Sequence, residues 1–429
     1  MAIVLAFAAS NLQAVQISCS WVGCDGGLWG DPSNWSCAMV PDNNETYTFV
    51  VTIDTSSCGH RVHVGLEQSR KINQLDCYGE VELAEGTGNL LELTIYNGLT
   101  NHGELDIGEI SIRGNITNTT GAMLGLYEGK GIYDGNLYNQ AGAMIEVGDD
   151  VSLEDGNIDN AGVIMLVPRS LLKTEHTLHN IGQINVFGGD CGAVEIFDNN
   201  STGIIRGYGT LHGGADFFRN KGKIYAFGGS LAVGSFGAII NSGLLANKPS
   251  ASLHITYVGA QGEDVNNNGT IEVHSGGGVT FDCNLVNESG AEIQLLGGTL
   301  AAQTITQAAD ANFAGFGSIT ADLFIDPNGI IQLTGPTNIV GDVNIPANAT
   351  LQISDGTTLI TGHTTCNNGT IHMIGGRVIC QGGLTNNNCN IIWEPGTYTN
   401  IADFNLDGTV NFKDFADFAN TWLWQASWY

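Results

Sequence analysis

Phe218-Arg-Asn220-Lys-Gly222-Lys-Ile224-Tyr-Ala226-Phe-Gly228-Gly-Ser-Leu231-Ala-Val233 carries the pattern that decides the fold. An apolar residue, a variable residue and Asn open it, Gly follows, and two alternating apolar runs are separated by a Gly-Gly turn. The opening recurs as Leu99-Thr-Asn101, Ile116-Thr-Asn118, Leu137-Tyr-Asn139, Ile158-Asp-Asn160, Leu178-His-Asn180, Phe197-Asp-Asn199, Ile239-Ile-Asn241, Val265-Asn-Asn267 and Leu285-Val-Asn287. It continues, weaker, through Ile305-Thr-Gln307, Ile325-Asp-Pro327, Ile345-Pro-Ala347, Thr365-Cys-Asn367 and Thr385-Asn-Asn387. From Asn101 to Asn387 the phase holds for 286 residues at about 20 per step.

Such a unit cannot bury its apolar face alone, but stacked copies form a continuous Ile, Leu and Val core between parallel sheets. The expectation is an all-β parallel β-helix of about 15 coils, roughly 70 Å long at ~4.8 Å per coil. The Asn column has a structural role: Asn tolerates the left-handed conformation, and its amide can bond to the amides above and below. The pattern resembles right-handed parallel β-helices of the pectin-lyase-like and autotransporter-passenger families, and the handedness is implied by that resemblance alone.

Four segments follow: residues 1–16 as a signal-peptide remnant, 17–60 as an N-terminal cap, 61–395 as the β-helix, and 396–429 as a C-terminal module. The first rests on the apolar run Ala2 to Ala9, which lacks a preceding basic residue. The cap holds Trp21, Trp29 and Trp35 among Gly, Pro and cysteines, in an arrangement similar to the opening segment of large exported bacterial repeat proteins. It reads as a capping core, with a sugar-binding aromatic patch as the alternative. No stretch approaches the ~20 apolar residues of a membrane span.

Ten cysteines, five near the N-terminus and three near residue 380, read as disulfides that staple both ends of an exported chain. Cys24 with Cys37 and Cys58 with Cys77 are the expected pairs. Zinc is disfavoured, because no C-x2-C pair or neighbouring His completes four ligands.

With 14 Lys and Arg against 43 Asp and Glu, the net charge of −29 argues against nucleic acid and anionic membranes as partners. Asp403-Phe-Asn405-Leu-Asp407-Gly408-Thr409-Val-Asn411-Phe-Lys-Asp414 fits a calcium loop, with Asp403, Asn405, Asp407, Asn411 and Asp414 as side-chain ligands and Thr409 offering its carbonyl. Phe415, Phe418, Trp422 and Leu423 recur behind it at helical spacing. Loop and helix resemble one repeat of a type I dockerin. Dockerins pack two repeats face to face, so a single repeat points away from a cohesin-type partner and toward a calcium-folded cap or attachment tag.

Catalysis has weaker support. Asp134-Gly and Asp155-Gly lie 21 residues apart, one coil, which would place two carboxylates about 5 Å apart, as in a retaining glycosidase. Asp-Gly is also a simple turn. His60 with His63 and His176 with His179 are three apart, which on a strand points the rings to opposite faces. The sequence therefore reads as a non-catalytic secreted structural or adhesion protein with outward aromatics such as Tyr208, Tyr225 and Tyr257 for a polysaccharide or cell-surface partner. The alternatives are a β-helix polysaccharide lyase or hydrolase, and a self-assembling filament or surface-layer subunit.

Overall fold

The computed structural model describes residues 14–85, 91–127, 132–257 and 264–394. They form a parallel β-solenoid of about 16 turns with almost no helix. The signal-peptide run, the calcium loop Asp403 to Asp414 and the helix behind it lie outside the described residues.

The chain divides into two units, Met1–Leu285 and Val286–Tyr429. In the first, most coils hold three short strands, and each strand pairs in parallel with its counterpart one coil later. Ile116–Asn118, for example, lies between Leu99–Asn101 and Leu137–Asn139. Alternate residues point inward and stack on their own kind, as Leu105 on Leu124 on Ile145 on Ile164, all fully buried. Phe197 and Phe218 stack at 4.8 Å in the same core.

The Asn column is a buried amide ladder. Each side-chain amide donates to the next, from Asn101 through 118, 139, 160, 180, 199, 220 and 241 to 267, at 2.7–3.0 Å. Asn residues with positive φ form a different column, Asn328, Asn348, Asn368 and Asn388, at a corner of the second unit. The two roles expected of one Asn are thus divided between two positions: the ladder needs a buried amide, and the corner needs a residue that tolerates the left-handed region.

In the second unit the ladder ends sooner than the phase suggested. Asn287 donates to Gln307 at 2.9 Å, but Gln307 pairs in register with Ile325, not Pro327. Below it come Ile345, Cys366 and Asn386. The apolar Ile325 and Ile345 replace the amides, and the alignment through Pro327 and Ala347 is corrected by two residues.

Parallel stacking begins at Val15–Ser20 on Tyr47–Asp54. Trp21, Trp29 and Trp35 are at most 5% exposed, meet edge to face, and each indole N–H donates to a backbone carbonyl. They are a capping core, and the sugar-patch alternative is excluded by their burial. The disulfides are Cys19–Cys37, Cys24–Cys58 and Cys366–Cys389. The expected pairs Cys24–Cys37 and Cys58–Cys77 are not formed, because Cys77 points into the core in register with Ile53 and Asn101. Three disulfides fit an oxidising, extracellular setting. Among the described residues no helix is long and apolar enough to cross a membrane.

Candidate functional site

Three or five residues beyond each ladder Asn, a second strand begins, and its outward residues form one face of the first unit. Reading the register down this face from the N-terminal end, Glu80 meets Glu104, then Met123, Met144, Val163, Gln183, Ile204, Lys223 and Leu244. The neighbouring column runs Glu82, Asp106, Gly125, Glu146, Met165, Asn185, Arg206, Tyr225 and Ala246. The face is thus sorted: acidic at one end, methionine-rich in the middle, cationic and aromatic at the other.

At the acidic end Arg61 pairs with both Glu104 and Asp106, and His63 lies 3.6 Å from Glu82. The Asp106 side chain is only 9% exposed, and its Oδ1 has no hydrogen-bond partner. Burial pushes its carboxyl above the usual value; Arg61 opposes this, while Glu104 and Glu82 add to it. Gly125 leaves the space into which Asp106 and Tyr127 lean, since a Cβ there would strike both. Tyr127 donates to Glu146 at 3.3 Å, and its hydroxyl is pushed up to about 12, chiefly by burial and then by Glu146.

At the other end Arg206 Nε donates to Asn185 at 2.8 Å, and Lys248 sits over the Tyr225 ring at 4.7 Å. Phe187 meets Tyr208 edge to face at 6.4 Å, and Phe227 is 58% exposed. Among the described residues, the Arg and Lys ion pairs fall on Arg61, Arg70, Arg113 and Arg219, and none on Arg206, Lys223 or Lys248, in a chain with 43 acids.

The outward column of the neighbouring sheet behaves differently. There Asp159, His179, Asp198 and Arg219 follow one another in register, with His179 3.5 Å from Asp159 and Arg219 bidentate on Asp198. Its charges are matched from coil to coil.

Tyr208 and Tyr225 lie on successive coils of the sorted face, whereas Tyr257 belongs to the strand Ser252–Tyr257 of another sheet. Asp134 and Asp155 occupy successive corners with positive φ, 51% and 71% exposed. Arg113 pairs with Asp134, while His176 lies between Asp155 and Glu195. His60 bonds to the carbonyls of Cys58 and Cys24. Among the described residues no group of three or more His, Cys, Asp or Glu is arranged to hold a metal.

Sequence reasoning missed Glu104, Asp106 and Glu146 and did not set Arg206 against them. The signal was present: these residues follow the ladder Asn by three to seven positions, and their sorting emerges only when the coils are aligned vertically. No family model, curated protein or solved structure matches this chain.

Proposed function

We propose that this chain is a non-catalytic extracellular structural or adhesion protein whose working surface is the sorted face of its first unit, with a calcium-folded, dockerin-like module behind the solenoid. One observation carries the reading: Arg206, Lys223 and Lys248 remain without carboxylate partners beside half-buried aromatic rings. Three cations on one face of a chain of net charge −29, none with a carboxylate partner among the described residues, favour a partner from outside the molecule. Aromatic rings beside them supply rigid contact area, which suits a glycan or protein surface.

Enzymatic cleavage of a polysaccharide is the second reading. It is favoured by the buried, upward-shifted Asp106 beside Tyr127 and Glu146.

A binding screen of the calcium-loaded full chain against neutral and acidic polysaccharides, with assay for new reducing or unsaturated ends, separates the two. Binding lost on Tyr225→Ala with Arg206→Ala and no product formed is the expected result. Product whose formation depends on Asp106 would replace the structural reading with the enzymatic one, and the same binding by the variant would remove the face from the argument.

A further inference from the structure

Resting on the reading of the sorted face as a contact surface, we propose that its partner is a second copy of this chain, docked face to face about a twofold axis that runs along the strand Val163–Leu166.

An isologous interface requires a patch complementary to itself when turned over. A twofold axis along the strands reverses the order of the coils and keeps each column opposite itself. Nine coils make up the face, with Val163 and Met165 in the fifth. Reversal about that coil sets Glu104 opposite Lys223 and Met123 opposite Ile204. It also brings Arg206 opposite Gly125, the one position of its column without a side chain, flanked by Asp106 and Glu146. Arg206, which has no carboxylate partner among the described residues of its own chain, thereby faces Glu146 and the Asp106 side chain that, with Tyr127, fills the space over Gly125. Every such pairing occurs twice.

The size is adequate. Nine coils at ~4.8 Å span about 38 Å, and three outward positions span about 13 Å of strand. Side chains included, this gives roughly 600 Å² per partner, near the lower bound of specific interfaces. Methionines at the centre suit a surface that must close on itself, because the thioether adapts to irregular gaps. Lys and acids at both ends fix orientation and exclude the parallel arrangement, in which like charges would face one another.

The test uses the full chain with Met165→Cys, which places two thiols beside the axis. Mild oxidation should yield a covalent dimer faster than the same treatment of Thr117→Cys, which lies outward on another sheet. Sedimentation should show a dimer at low salt that loosens at high salt. Arg206→Glu with Lys223→Glu should give a folded monomer, as should Glu104→Lys with Glu146→Lys, and mixing the two should restore a dimer. A dimer indifferent to both charge reversals, or equal cross-linking at Met165→Cys and Thr117→Cys, would overturn the proposal. A monomer at all concentrations that still binds polysaccharide through Arg206 overturns it while leaving the contact-surface reading standing; a monomer that binds nothing overturns both.

Discussion

Asn220 donates its side-chain amide to Asn241, one coil on, at 2.8 Å, and also to the carbonyl of Leu244 at 3.0 Å. One planar group therefore ties two coils side chain to side chain and side chain to backbone, in a region closed to water.

Asn220→Ala removes the acceptor used by Asn199 and leaves buried polar groups above and below without partners. Each such group costs about 1–3 kcal/mol, so the variant should unfold at clearly lower denaturant concentration than the parent. Tyr225→Ala, whose side chain lies outward on the same coil, should shift the midpoint much less.

The cysteines divide by location. Non-reducing peptide mapping should return Cys19–Cys37, Cys24–Cys58 and Cys366–Cys389, and loss of the Cys24–Cys58 bridge should cost about 4 kcal/mol, given the 34-residue separation. Cys77 and Cys191 are fully buried, and burial, reinforced by Asp190, pushes the Cys191 thiol up to about 12. Neither should react with an alkylating reagent until the chain is unfolded.

Two Arg-paired carboxylates should respond to pH with opposite sign. Burial would raise Asp198, but the hydrogen bond and charge of Arg219 prevail and hold it below the usual range. Its contribution is present above the ordinary Asp value and lost as pH falls through the depressed one, so the deficit of Asp198→Asn, about 2 kcal/mol near neutrality, should close in acid. Asp106 is shifted upward, so its contribution is present in acid and lost as pH rises through its folded value. Wild type should therefore lose ground against Asp106→Asn between acid and neutral pH. Denaturant midpoints of both variants across that range check the signs.

Calcium titration by calorimetry should show one site, abolished by Asp403→Ala with Asp407→Ala, since these remove the ligands at the loop's first and fifth positions. Heat equal to that of the parent would show that the acidic stretch is only a turn.

The solenoid was legible because Asn, Gly and alternating apolar residues recur in phase, and each has one physical use at its position. Register was legible wherever the amide persisted. It slipped at Ile325, because an apolar residue in the ladder slot looks like any other core residue in sequence. Disulfide partners were not legible: which cysteines meet depends on how the loop over Trp29 folds back, and Cys77 is withheld by a core whose inward direction sequence alone did not assign. The sorted face fell between these cases. Its residues follow the ladder Asn at short offsets, but a corner lengthened by two residues before Met123, Met144 and Ile204 hides their alignment.

The ladder tolerates steps of 17 residues from Asn101 to Asn118 and 26 from Asn241 to Asn267, with bonds of 2.9 and 2.7 Å. Corner length is therefore decoupled from stacking. A gene encoding such a chain can gain or lose whole turns, or lengthen a single corner, without disturbing the coils on either side. By the same reasoning, removing the Val163 coil from the middle of the sorted face would leave a well-folded protein whose two ends still match when turned over, with the axis moved between two coils.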